Sequence, residues 1–238
     1  MSRNFKRMKM FNKELFTLLG IYLVVLFGIV VISTVSTSKT EAKSNYTKYV
    51  DTVIKVDTLV NVKDKTVLII GDSHSANNTS GWQKVLCDKT GMKMINASVG
   101  GKTTYWMLDM ALYKINDKID YCFVYGGAND MYSSGIKPVH ALRNIQGIVR
   151  MCNGRGVKCF VLTGFDPVKC TRTNNPNYPG RYAKLQQMML DSIKDATVID
   201  TRVVNIKDCW DNLCHMAPSG HKKIAEKIIQ DTKFRVIK

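Results

Sequence analysis

The sequence predicts an α/β protein, a three-layer α/β/α sandwich around a central parallel sheet, preceded by one N-terminal transmembrane helix. Three observations carry this. From Thr66 onward, short apolar runs alternate with amphipathic stretches of helical length, the pattern of strands buried on both faces by crossover helices. Leu15 to Ile32 reads LFTLLGIYLVVLFGIVVI without a charge, and the next charge is Lys39. The 238 residues are 45% hydrophobic and 23% charged, a globular composition with room for one domain and too apolar for a disordered chain.

The N-terminal run is long enough to span a bilayer. At about 1.5 Å per residue, a helix over 15–34 covers about 30 Å, the thickness of the hydrocarbon core. A cleaved signal peptide has a shorter apolar region of about 7–15 residues and a small-x-small cleavage site, for which Ser33–Ser38 offers only weak candidates. The basic tail over 1–14, with Arg3, Lys6, Arg7, Lys9 and Lys13, places the N-terminus in the cytoplasm and the remainder outside. A stalk follows over 35–64, with Val53–Val62 a candidate early strand, and then a folded domain over 65–238.

Within that domain the expected strands are Thr66–Ile70, Met92–Asn96, Ile119–Tyr125, Val157–Thr163 and Thr197–Ile199. The expected helices are Ser80–Lys89, with Trp82, Val85 and Leu86 on one face, Thr104–Lys114, with Trp106, Met107, Met110 and Ala111 inward, Pro138–Met151, Arg181–Lys194 and Ser219–Asp231. Proline opens the third of these, and Ser219 is read as the cap of the last.

A net charge of +16 invites a nucleic-acid reading. Beyond the N-terminal tail, however, the basic residues are scattered singly among acids, as on a solvated surface, and no nucleic-acid motif accompanies them. No nucleic-acid partner is expected. Seven cysteines leave at least one unpaired. Cys122 reads as a small buried hydrophobe. Cys209–Cys214 and a bridge within Cys152, Cys159 and Cys170 are the favoured pairings, while a reducing compartment leaves all seven as thiols. Asn45, Asn77, Asn78 and Asn96 stand in N-x-S/T sequences and leave glycosylation open.

Active sites of parallel sheets form at the carboxyl ends of the strands, and there the sequence is informative. Gly71-Asp72-Ser73-His74 follows the first strand, Asn96 to Thr104 with Gly100-Gly101 follows the second, Gly126-Gly127-Ala128-Asn129-Asp130 follows the third, and Asp211-Asn212-Leu213-Cys214-His215 precedes the last helix. In this order the four blocks resemble the SGNH (GDSL-type) hydrolases, over roughly Thr66 to Ile229. The resemblance implies an SGNH, flavodoxin-like sandwich over 65–238. It also implies a catalytic set of Ser73 as nucleophile, His215 as base and an acid, and an oxyanion hole of Ser73, Gly101 and Asn129.

The chemistry agrees with that assignment. A serine hydroxyl needs a base to take its proton during attack, and a histidine with a pKa near 6.5 suits this at neutral pH. The tetrahedral intermediate needs donors at its oxyanion, each worth about 2.7–4 kcal/mol in other enzymes. One departure matters: the family places an aspartate three residues before the histidine, where this chain has Asn212. Asp211 is the choice for the third member, with Asp208 and a neutral Asn212 as alternatives. Asp72 is expected to tie down the nucleophile turn through backbone hydrogen bonds. Taken alone, Ser73 is a turn residue or helix cap, and His74 and His221 read as surface residues. Cys209, Cys214, His215 and His221 lack zinc-site spacing, so no metal and no cofactor are expected.

Three functions remain open. The first is a membrane-anchored serine esterase removing acyl groups, most often acetyl, from a carbohydrate or other small ester outside the cytoplasm, through an acyl-enzyme. The second is an O-acyltransferase modifying a cell-surface polysaccharide. The third is an inactive binding protein that keeps the fold. Oligomeric state is not legible.

Overall fold

Thr66–Gly71 forms β1, and Val67, Leu68, Ile69 and Ile70 in it are wholly buried, as an uninterrupted apolar run must be when helices cover both faces of its sheet. The computed structural model describes residues 58–132, 136–170, 175–204, 206–209 and 215–237. The chain divides at residue 57, and the described residues all belong to the second unit, 58–238. The first, with the expected tail, transmembrane segment and most of the stalk, lies outside the described residues. Among those described, no helix is long and apolar enough to cross a membrane.

From β1 the chain runs through α1 (Trp82–Thr90), β2 (Lys93–Asn96), α2 (Thr104–Lys114), β3 (Tyr121–Tyr125), α3 (Ala128–Tyr132), α4 (Pro138–Asn153), β4 (Lys158–Leu162), α5 (Pro167–Cys170), α6 (Tyr178–Ser192), β5 (Thr197–Ile199) and α7 (Pro218–Thr232). The five strands are all parallel, in the order β2-β1-β3-β4-β5. The chain therefore steps one way from β1 to β2 and then reverses. Because crossovers are right-handed, the reversal sends helices to opposite faces. Accordingly α1 packs with α7, while α2, α4 and α6 pack in a row. The reversal makes the carboxyl ends of β1 and β3 the switch point, the place where such sheets bind ligands.

Aromatic rings fill the α1–α7 side. Phe123 of β3 stacks on Phe160 of β4 with centroids 4.8 Å apart, and Trp82 meets Phe123 edge-on at 5.9 Å. Each such pair adds about 0.5–1.5 kcal/mol beyond the area it buries.

The expected strands and long helices are all present, with ends shifted by a few residues. Several smaller readings change. The candidate strand over Val53–Val62 lies outside the described residues up to 57, and beyond them only Val60 pairs, in an isolated bridge with Phe234. The last helix begins at Pro218 with Ala217 as its N-cap and no side-chain cap, so Ser219 is inside the first turn. Proline's fixed φ starts this helix without a capping hydroxyl. The short helices α3 and α5 were not expected.

The cysteines also differ from the favoured pairing. Cys122 and Cys159 face each other in register on β3 and β4. With Cys152 at the end of α4 they form a buried group of three thiols hydrogen-bonded to one another. Cys152 and Cys159, within the group expected to hold a bridge, are both free thiols. Cys170 has no described side chain, and Cys214 lies outside the described residues.

Candidate active site

The turn after β1 is forced by close packing. A Cβ at Gly71 would stand 2.7 Å from the Tyr125 carbonyl oxygen and 2.9 Å from Ser75 Oγ, so only glycine lets β1 and β3 approach where the chain leaves the sheet. The next residue, Asp72, is fully buried. Its Oδ1 accepts the His74 N–H at 3.0 Å, its carbonyl accepts the Ser75 N–H at 3.0 Å, and its own N–H donates to Tyr125 at 3.3 Å. Asp72 thus holds the turn through backbone hydrogen bonds, as expected. Trp82 Nε1 donates to Ser75 Oγ at 3.1 Å, and Gln83 Nε2 and Asn96 Nδ2 each donate to the Ser75 carbonyl at 2.7 Å. Between these anchors Ser73 stays half-buried.

His215 reaches Ser73 from the far end of the domain. Its Nε2 lies 3.0 Å from Ser73 Oγ, across 142 residues of sequence. Next to it, Met216 bridges Cys209, and the Ala217 N–H donates to the Asp208 carbonyl at 2.7 Å. The Asp208 carboxylate, almost wholly buried, takes a 2.6 Å ion pair from Lys223 of α7. Asp208 therefore braces the segment that carries His215. Asp211 and Asn212 lie outside the described residues.

The second and third blocks converge on the same point. Val99 N–H donates to the Gly71 carbonyl at 3.1 Å, laying the segment after β2 along the end of β1. A Cβ at Gly100 would come 3.7 Å from Ser73 Cβ. Gly101 has φ +74° with open space around it, so its backbone turn, not crowding, favours glycine. Asn129, in the first turn of α3, donates through Nδ2 to the Lys102 carbonyl at 3.0 Å. A side-chain amide has two N–H groups, so this bond fixes the amide beside Gly101 and leaves a second donor. Asp130 accepts both the N–H (2.9 Å) and the hydroxyl (2.5 Å) of Thr104, tying α3 to the start of α2.

Burial sets the electrostatics. The Asp72 carboxyl is pushed from the usual 3.8 up to about 7 by burial and by the neighbouring Asp130, against the pull of the His74 N–H and of His215. Burial also raises Asp130.

Two histidines expected at the surface are buried. His221 accepts the Trp82 N–H on Nδ1 at 3.1 Å, and burial lowers its pKa to about 4. His74 lies among rings, 5.6 Å from Tyr125, 4.9 Å from Phe165 and 5.3 Å from His215. The position of His74 beside Ser73, in a turn directly after a buried strand, is the sequence signal for its burial. No cluster of three or more metal-ligating side chains occurs among the described residues.

A hydroxyl 3.0 Å from an imidazole nitrogen can pass its proton to that nitrogen as it attacks an electrophile. Known proteins share this fold. The fold matches an acetylxylan esterase from Geobacillus stearothermophilus (TM-score 0.57, 14% identity, covering 74% of this chain and 98% of that one). It also matches a GDSL-like lipase from Bacteroides thetaiotaomicron (0.58, 13%, 79% and 97%). A member of the lipolytic G-D-S-L family from Veillonella parvula is similar as well (0.56, 12%, 70% and 97%). No curated protein sequence matches the chain. The sequence profile of the GDSL-like lipase/acylhydrolase family, however, matches residues 69–223, well over half the chain and all four blocks; the chain belongs to that family and is an ester-hydrolysing enzyme.

Proposed function

We propose that the protein is a membrane-anchored serine esterase that removes acetyl or other short acyl groups from a carbohydrate outside the cytoplasm. The 3.0 Å contact between Ser73 Oγ and His215 Nε2 carries the reading. Ser73 attacks the ester carbonyl while His215 takes its proton, and the alkoxide leaves with that proton. Water then attacks the acyl-enzyme with His215 again as base, releasing the acid and restoring Ser73. The Ser73 and Gly101 N–H groups and the second Asn129 N–H hold the oxyanion in both steps. Asp211 is the proposed orienting acid, with Asp208 and Asn212 as alternatives.

Exposed aromatic surface near Gly101 supports a sugar substrate. Tyr105 at the start of α2 is 73% exposed. Such rings offer flat apolar faces to the C–H faces of a sugar. The uncharged run over 15–34 after a basic tail supports the anchor and an outward-facing domain.

The test uses the full chain in mild detergent with p-nitrophenyl acetate. Wild-type turnover blocked by a fluorophosphonate, and abolished in Ser73→Ala with an unchanged melting temperature, is the expected result. Turnover retained by Ser73→Ala would refute the nucleophile assignment. Acetyl appearing on an added oligosaccharide faster than as free acetate would make the enzyme an O-acyltransferase instead. A folded chain with no turnover and no labelling would leave a binding protein.

A further inference from the structure

We propose that the end of the domain opposite the active site docks on the headgroups of an anionic membrane surface and holds the catalytic end outward. This goes beyond the anchored reading above, which supplies only a tether.

The basic residues are scattered in sequence, and the fold gathers them. Each strand begins at or just after a lysine: Lys65 for β1, Lys93 for β2, Lys118 for β3, Lys158 for β4 and Lys194 for β5. Because all the strands are parallel, these lysines share one end of the sheet, with Lys93 beside Thr66 and Lys158 beside Tyr121 in register. All five are exposed. Lys65 and Lys93 neutralise Asp120 and Asp64, at 2.9 and 3.7 Å. Lys118, Lys158 and Lys194 enter no ion pair among the described residues. Asp88 and Asp231, in the last turns of α1 and α7, are taken by Lys84 and Lys227. Exposed Lys63 and Arg235 add to the patch, and Asp117 and Asp195 oppose it without cancelling it.

Apolar side chains stand among these charges. The Val60 N–H donates to the Lys233 carbonyl at 2.8 Å and the Arg235 N–H to the Val60 carbonyl at 2.9 Å, so the chain enters and leaves the domain side by side at this end. Leu59 and Val236 flank that pair, 55% and 45% exposed, and Tyr113, where α2 returns toward the start of β3, is 74% exposed. A soluble polyanion asks for cations alone. Aliphatic and tyrosine side chains among lysines suit a bilayer interface, where they enter between the headgroups while the cations meet anionic lipid. A tethered domain meets its surface at an effective concentration on the order of mM, so weak docking suffices. At about 3.3 Å per residue, β1 lifts Ser73 by about 20 Å from a surface at its start, toward a polymer and away from lipid esters.

The same cations lie near helix carboxyl ends, where they also offset the helix dipoles. That role alone would show in melting temperature and not in lipid dependence. The experiment therefore uses the full chain reconstituted into phosphatidylcholine vesicles with and without phosphatidylglycerol. Acetylation of each lysine by an N-hydroxysuccinimide ester is followed by mass spectrometry. In the anionic vesicles Lys63, Lys118 and Lys194 should react about threefold or more slowly, as expected for an electrostatically held surface, while Lys137 and Lys184 keep their rates. High salt should remove the protection. The combined variant Lys118→Glu, Lys158→Glu and Lys194→Glu should leave Lys63 unprotected, with turnover of p-nitrophenyl acetate unchanged; should this variant melt lower, the salt dependence of the wild type decides. Equal rates in both lipids would overturn the proposal, as would protection of Lys137 and Lys184 in place of the amino-end lysines, or protection indifferent to salt. A chain that alkaline carbonate strips from the vesicles would overturn the anchor alone if the lysines were protected before stripping, and the docking as well if they were not.

Discussion

Replacing Asp72 with asparagine should change how the stability of the domain depends on pH. In the unfolded chain this carboxyl titrates near 3.8, and in the folded chain near 7. Below about pH 4 it is protonated in both states, and its burial carries no charge. Between these values the folded chain holds a proton that the unfolded chain has released, so stability falls as the pH rises, and above about 7 the whole contribution is lost. At about 1.4 kcal/mol per tenfold change in proton affinity, the difference amounts to about 4 kcal/mol. Asp72→Asn keeps a side-chain oxygen to accept the His74 N–H and carries no charge at any pH. Wild type and variant should therefore lose their common pH dependence in parallel, apart from this one group. Urea unfolding followed by tryptophan fluorescence at pH 4.5 and 8.5 measures it. The advantage of the variant should be larger at pH 8.5 than at pH 4.5 by about 3 kcal/mol, since at pH 4.5 the unfolded carboxyl is already mostly ionised. Asp130, also raised by burial, is present in both proteins and cancels to first order. A difference between the two proteins that stays constant across this range would refute the argument that Asp72 is a desolvated acid.

Gly71→Ala should destabilise the domain by about 1–3 kcal/mol, because the added methyl meets the Tyr125 carbonyl and Ser75 Oγ at less than 3 Å. Fluorophosphonate labelling of Ser73 should fall in the same variant, and thermal melting with labelling rates checks both. His221, whose pKa falls from 6.5 to about 4 on burial, contributes stability that is present above pH 6.5 and lost as the pH drops through 4. His221→Asn keeps an acceptor for the Trp82 N–H, so its acid unfolding should begin at lower pH than that of wild type by circular dichroism. Cys122, Cys152 and Cys159 should resist iodoacetamide in the folded protein and react after denaturation, as read by peptide mass spectrometry; modification before unfolding would contradict their burial.

The parts of the fold that were legible were those where one residue type has one physical use. Val67–Ile70 is apolar without interruption, which suits only a strand covered on both faces, and the polar blocks after β1, β2 and β3 stand where a parallel sheet exposes its strand ends. His215 Nε2 stands 3.0 Å from Ser73 Oγ, and Gly100 beside Gly101 lies against Ser73. What escaped depended on long-range packing. His221 is polar and follows a proline-opened turn, which looks like surface; only the docking of α7 on α1 buries it against the Trp82 N–H. His74 was hidden for the same reason, since the rings around it come from β3, the segment after β4 and the approach to α7. The three thiols become neighbours only when β3 pairs with β4 beneath α4. Helix α3 is a single turn, too short to show a period.

The bond from Trp82 to His221 joins the helix that follows the nucleophile turn to the helix that follows His215. Serine and base therefore arrive at opposite ends of the domain's synthesis, and a chain still emerging from the ribosome holds Ser73 with no imidazole to activate it. On the proposed mechanism, hydrolytic competence should then appear only when α7 docks. During refolding, the return of probe labelling should lag behind the return of helical signal, making the enzyme its own clock for the closing step of its assembly.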